Sequence, residues 1–226
     1  MTVIYEDNHL IVVNKESSEI VQGDKTGDET LGDLVKDFLR VKYNKPGNIF
    51  CGVTHRLDRP VTGAVVMAKT SKALTRMNDL FRNGDVRKIY WAVVDKLPPN
   101  DEGTLIHYIS KDEKNNKSHA HQKERSNAKR AELHYKVIGR SDRYYLLEVE
   151  LKTGRHHQIR CQLASIGCPI RGDLKYGYER SNPGGGISLH SRSVSFVHPV
   201  SKEPLHIVAP TPKKDSLWQF FEDATR

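Results

Sequence analysis

Val53-Thr54-His55-Arg56-Leu57-Asp58-Arg59-Pro60-Val61-Thr62-Gly63-Ala64-Val65-Val66-Met67-Ala68-Lys69 joins a short polar turn directly to an apolar run. The run from Gly63 to Lys69 reads as a strand covered on both faces, since it is short, continuous and bounded by turn residues. In the turn, one carboxylate, Asp58, stands between Arg56 and Arg59, and Pro60 rules out a helix on which those charges could pair at regular spacing. A lone carboxylate among cations is held ionised. In a cleft it can attack an electrophilic carbon or accept a proton; as a structural ion pair it only fixes the turn.

Upstream, Leu10-Ile11-Val12-Val13 is a second short apolar run and a second strand. Asp28-Glu29-Thr30 offers a helix start, and Leu31, Leu34, Val35, Phe38 and Leu39 then fall on one helical face. Downstream, Thr70 or Ser71 can cap a helix with Ala73, Leu74, Met77, Leu80 and Phe81 on its apolar face, ended by Asn83-Gly84. Strands are expected at 88–94, 104–109, 131–138, 144–151, 193–197 and 205–208. A helix is expected over 155–166, and Leu217, Phe220 and Phe221 mark a final one. Strands outnumber helices and often follow one another directly, which predicts an α+β fold with a largely antiparallel sheet. No linker divides the chain, so one domain is expected.

The chain has 226 residues, 36 Lys and Arg against 28 Asp and Glu, and a net charge of +8. That excess favours a polyanionic partner, with nucleic acid first among them. No apolar run approaches the roughly 18 residues of a membrane span, and the N-terminus has neither the basic nor the apolar region of a signal peptide, so a cytoplasmic location is expected. Three cysteines, Cys51, Cys161 and Cys168, form no C-x-x-C pair and read as buried thiols. Residues 111–130 are almost wholly polar, with seven Lys/Arg against three Asp/Glu. They read as a solvated, mobile hairpin loop or as a flexible arm that grips phosphates.

A second cationic cluster, Thr153-Gly154-Arg155-His156-His157-Gln158-Ile159-Arg160, lies about a hundred residues beyond the first. On a helix, Arg155 and Arg160 would point in different directions and the adjacent histidines would diverge, so no metal site is expected there.

The two clusters belong to an ordered series. His55-Arg56-Leu57-Asp58-Arg59 is preceded by Tyr5-Glu6-Asp7-Asn8-His9-Leu10-Ile11-Val12-Val13-Asn14-Lys15. It is followed by Lys88-Ile89-Tyr90-Trp91, then Gly154 to Arg160, then Gly172-Asp173 with Tyr176-Gly177, and Leu189-His190. This series resembles the RluA family of pseudouridine synthases, which modify RNA. The resemblance implies a pseudouridine synthase fold with an RNA-binding cleft, as a single catalytic domain over residues 1–226 without the small N-terminal RNA-binding domain of many relatives. It further implies Asp58 as the catalytic aspartate, Tyr90 as the tyrosine that packs on the target base, and Arg160 as the basic residue that pairs with the aspartate, with Arg155 kept open for that role. Arg56 matches an arginine that helps displace the target nucleotide, and Leu189 an apolar residue of the base pocket. Ribosomal or transfer RNA is the implied substrate, and neither a metal nor an organic cofactor is needed. One departure stands out: where the family continues Lys-Pro-Ala-Gly, this chain has Lys15-Glu16-Ser17-Ser18. Three rivals remain at this point: an RNA-binding module without activity, a metal-dependent phosphodiesterase on Asp58, His55 and His157, and a structural partner of the ribosome.

Overall fold

The structure, a computed structural model, describes residues 1–23 and 27–225. Its first elements are β1 (Thr2–Glu6), β2 (Leu10–Lys15), α1 (Leu31–Tyr43), β3 (Gly52–Val53), β4 (Thr62–Ala68) and α2 (Ser71–Asn83). Next come β5 (Arg87–Val94), β6 (Glu102–Asp112), β7 (Lys117–His121), β8 (Lys129–Arg140) and β9 (Tyr145–Leu151). The chain continues with α3 (Gln158–Ser165), a 3-10 turn (Leu174–Tyr176), β10 (Leu189–Val197), β11 (Pro204–Val208) and α4 (Ser216–Ala224). These elements fall into two compact units, residues 1–86 with 191–210, and residues 87–190 with 211–226.

In the first unit the strand order is β1-β2-β4-β10, with β11 on β10 and β3 on β4. β2 and β4 are antiparallel, Leu10 opposite Ala68 and Lys15 opposite Gly63. All seven residues of β4 are buried, as its unbroken apolar run predicts. Leu10, Val12, Ala64, Val66 and Ala68 form a core with Ala73 and Met77 of α2 and Val194 and Phe196 of β10. α1 begins at Thr30, whose hydroxyl accepts from the Asp33 N–H while Asp33 reaches back to the Thr30 N–H. α2 begins at Thr70 and ends at Gly84 in the left-handed conformation. Both helices start and stop where their capping residues require.

Gly63 has a stricter reason to be glycine. Its φ is +114°, and a Cβ there would lie 2.3 Å from the Ser191 carbonyl oxygen. Only a bare backbone lets β10 approach β4 this closely.

The second unit carries the antiparallel order β5-β9-β8-β6-β7. One face of this sheet packs Ile89, Trp91, Val93 and Leu146 against Trp218 and Phe221 of α4. The other packs Ile109 and Ala131 against Cys161 of α3 and against Tyr176. Tyr90 pairs with Val149, and Val149 with Tyr135, on a row that alternates away from Trp91. Directly paired residues and positions two apart share a sheet face. By that register, Tyr90 lies on the same face as Ala131 and hence on the side covered by α3.

Three sequence expectations need correction. Residues 111–130 hold more strand than a hairpin loop: β6 runs on to Asp112, and β7 pairs with it from Lys117 opposite Asp112 to His121 opposite Tyr108, leaving turns at 113–116 and 122–128. The polar composition hid how far the paired strands extend. The helix expected over 155–166 begins only at Gln158, because His157 takes a left-handed φ of +51° that no helix tolerates at its interior. And β1, for which no strand was expected, pairs with β2 through a turn in which the Asp7 carboxylate accepts the N–H groups of His9 and Leu10 at 2.7 Å. Among the cysteines, Cys161 and Cys168 are buried, while Cys51 is only half-buried.

Candidate active site

Asp58 lies half-buried in a turn closed by the Val61 N–H donating to the Asp58 carbonyl at 3.0 Å. What fixes that turn is Lys15, a residue the sequence showed only as the end of a strand. Its side chain is fully buried. Its ammonium donates to the carbonyls of Glu16 at 2.9 Å, Arg59 at 3.0 Å and Val61 at 2.7 Å. Two of those carbonyls belong to the Asp58 turn itself. Burial drives the Lys15 pKa down from 10.5 to about 8, against the pull of the Glu19 and Asp58 carboxylates. A third main-chain tie comes from Ser18, whose N–H donates to the Arg59 carbonyl at 3.1 Å. Ser18 has a φ of +81°, in the left-handed region that favours glycine, and it stands where the Lys-Pro-Ala-Gly pattern has its glycine.

The rest of the signature fastens this turn to the sheet. The Thr54 hydroxyl donates to the Val66 carbonyl at 2.7 Å, and His55 Nε2 accepts the Val66 N–H at 2.9 Å. His55 also lies against the Phe81 ring, centroids 4.7 Å apart. His55 thus satisfies a main-chain N–H of β4 with its Nε2 lone pair. The flanking arginines have partners of their own: Arg56, exposed, donates to Gln22 Oε1 at 2.9 Å, and Arg59 pairs with Asp28 at 2.7 Å.

In the second unit, Arg160 is buried on α3. Its Nε and Nη2 meet the two Asp173 carboxylate oxygens at 2.7 and 2.9 Å, a two-pronged pair with both partners buried. The guanidinium also stands 5.0 Å from the centre of the Tyr176 ring. Asp173 follows Gly172, whose φ of +86° and crowding by Asn182 leave no room for a side chain. Tyr176 Oη accepts the Ser118 N–H at 2.8 Å and shares a 2.8 Å hydrogen bond with His157 Nδ1. Burial, and then the Arg160 charge, force the His157 pKa down to about 2, so the ring is neutral at ordinary pH.

His156 and His157 do not diverge as adjacent helical residues would. The left-handed turn at His157 stacks their rings 3.8 Å apart, and His156 Nδ1 meets the Ser118 hydroxyl at 2.8 Å. Arg155 is exposed and precedes the helix, with Nε donating to the Arg130 carbonyl at 3.1 Å. Tyr90 and Leu189 are buried, on β5 and at the start of β10.

Within the first unit Asp58 lies with Lys15, and within the second Arg160 lies with Asp173 and Tyr176. The sequence singled out Asp58 and Arg160 but assigned no role to Lys15, Asp173 or Tyr176. Their signal was present only as membership of the ordered series. Among the described residues no set of three or more His, Cys, Asp or Glu side chains is placed to hold a metal ion, and no helix is long and apolar enough to cross a membrane.

Comparison with known proteins follows the same segments. Residues 9–165 match the family model for RNA pseudouridylate synthase. The uncharacterized RNA pseudouridine synthase YlyB of Bacillus subtilis is 32% identical over 216 residues, covering 94% of this chain and 70% of that protein. Ribosomal large subunit pseudouridine synthase D of Xanthomonas campestris pv. campestris is 31% identical over 229 residues, covering 94% of this chain and 66% of that one. The chain therefore spans about two-thirds of the length of such relatives. Among solved structures, human RNA pseudouridylate synthase domain containing 4 superposes with a TM-score of 0.79 at 23% identity, covering 100% of this chain and 93% of that one, which establishes the fold.

Proposed function

The chain belongs to the RNA pseudouridine synthase family, isomerases that act on RNA, and from that premise we propose that it converts specific uridines of ribosomal or transfer RNA to pseudouridine, with Asp58 as its catalytic carboxylate. The names of the ribosomal relatives favour ribosomal RNA. In this reading the two compact units work as one catalytic domain. The observation that carries it is the Asp58 turn: a half-buried carboxylate whose main chain is tied down by Lys15 and Ser18, inside the segment that matches the family.

The reaction breaks the bond between uracil N1 and the sugar C1′, turns the base, and joins C5 to C1′. The C5 proton is lost and N1 regains one, so nothing is oxidised or reduced and no metal or organic cofactor is required. Asp58 either attacks C1′ or removes a sugar proton; both need it ionised and aimed. The target nucleotide must leave its stack, at a cost of a few kcal/mol. Stacking on the Tyr90 ring offsets about 1–3 kcal/mol of that. Arg56, exposed beside the turn, fills the place of the displaced nucleotide. Arg160 supports the negative charge at the reacting centre. Leu189 walls the base pocket, so the detached uracil stays in place. Arg155 and the basic β6–β7 hairpin contact phosphates of the flanking RNA. Three free thiols fit a reducing cytoplasm.

Asp58→Asn is expected to keep the fold and abolish product, read by chemical mapping of pseudouridine on the RNA. Wild-type levels of product from that variant would overturn the assignment.

A further inference from the structure

The β6–β7 hairpin and the buried arginine of α3 share one set of contacts. From the hairpin, the Ser118 main-chain N–H donates to Tyr176 Oη at 2.8 Å and the Ser118 hydroxyl meets His156 Nδ1 at 2.8 Å. From α3, Arg160 presents its guanidinium to the Tyr176 ring at 5.0 Å and its Nε and Nη2 to Asp173. Lys117 stands 5.3 Å from the same ring centre. Tyr176 thus touches hairpin, helix start and arginine together. Ser118, His157, Arg160, Asp173 and Tyr176 are all buried.

We infer that Tyr176 is a positioning residue that latches the basic hairpin to Arg160, so that the direction of the Arg160 Nη1 edge depends on how the hairpin is held. The argument is geometric. A fork on Asp173 fixes two of the three guanidinium nitrogens, which sets the plane of the group. The Tyr176 ring supplies the face against which that plane rests. The position of the ring is set in turn at its oxygen, held between the Ser118 N–H and His157. A shift of Ser118 therefore moves the oxygen, then the ring, then the surface under Arg160. RNA drawn onto Lys117 and its neighbours acts on the strand that carries Ser118. The hairpin would then do more than add affinity: its seating would align the arginine.

This inference rests on the reading in which Arg160 acts at the reacting centre, and the experiment separates the two. Single-turnover rates, with enzyme in excess over RNA, are measured beside RNA affinity and thermal midpoint for Tyr176→Phe, Ser118→Pro, Arg160→Ala and the Arg160→Ala/Tyr176→Phe pair. Tyr176→Phe keeps the ring and removes only the oxygen. Ser118→Pro removes the same hydrogen bond from the other side, at an edge strand whose N–H is directed to Tyr176. Each is expected to slow the chemical step about tenfold, with affinity changed less than about twofold. In the Arg160→Ala background, Tyr176→Phe is expected to add no further loss. Should Tyr176→Phe fail to fold, Ser118→Pro carries the same test. A loss confined to affinity, an unchanged rate in either folded variant, or losses that add in the pair would overturn the latch and leave the role of Arg160 standing. A wild-type rate in Arg160→Ala would instead remove that role, and the latch with it.

Discussion

The Asp58 turn and the start of α3 each hold one charged group in place, and they hold it by opposite means. Asp58 is aimed by main chain: carbonyls of its own turn are gathered onto the buried Lys15 ammonium and the Ser18 N–H. Arg160 is aimed by side chains, through the Asp173 carboxylate and the Tyr176 ring. The difference follows from reach. An aspartate has a short side chain, so fixing its backbone nearly fixes its oxygens. An arginine ends three bonds further out, so contacts at the guanidinium are needed to define its direction. The first leans on main-chain bonds gathered by Lys15 and Ser18; the second leans on Asp173 and Tyr176.

Substitutions should separate the two. The largest effect is expected from Asp173→Asn, which removes the buried carboxylate charge facing the Arg160 guanidinium. About 3–5 kcal/mol of stability should be lost, measured by urea unfolding, and a loss below 1 kcal/mol would show that the fork is not what holds the arginine. Lys15→Met should cost about 1–3 kcal/mol, since it removes the donor of the buried bond to the Val61 carbonyl together with two further main-chain bonds. That variant should also slow turnover more than it weakens RNA binding, because the carboxylate loses its mounting; an equal fall in both would place Lys15 in the fold alone.

Acid should then act selectively on the side-chain arrangement. His157 takes up a proton near pH 6.5 when unfolded but only near pH 2 when folded. Between those values the unfolded chain binds more protons, so stability contributed by neutral His157 is present above pH 6.5 and is lost as the pH falls. One such group contributes a slope of up to about 1.4 kcal/mol per pH unit. His157→Gln should flatten the stability curve by that proton, and an unchanged slope would place the titration elsewhere. The smallest effect is expected at Arg59→Ala. Its pair with Asp28 is partly exposed, and such pairs are worth under about 1 kcal/mol; a larger loss would mean that the turn depends on this side chain after all.

Much of this was legible beforehand, for physical reasons that differ by element. β4 and α2 could be read because burial on both faces and on one face leave different periods in the sequence. Asp58 could be singled out because a carboxylate among cations in a turn is unusual in itself. β7 could not, since a strand of Lys, Ser, His and Ala has the composition of a loop, and its pairing with β6 is a non-local fact. The start of α3 was placed three residues early because only the left-handed φ at His157 breaks the helix, and a histidine does not announce that conformation as a glycine would. Lys15 was hidden for the opposite reason: lysine is so seldom buried that its burial, and with it the anchoring of the turn, is visible only in three dimensions.

β7 lies at one margin of its sheet. A marginal strand offers a row of main-chain donors and acceptors to any other strand that comes alongside, its own twin in a second molecule included. Here Lys117 and His119 occupy that strand, Lys123 and Arg125 follow it, and Ser118 spends its N–H on Tyr176. The repulsion between two such hairpins, together with the donor already engaged, discourages one molecule from zipping onto the next. A single run of positive residues thereby guards the molecule against self-stacking while it lies open to a polyanion.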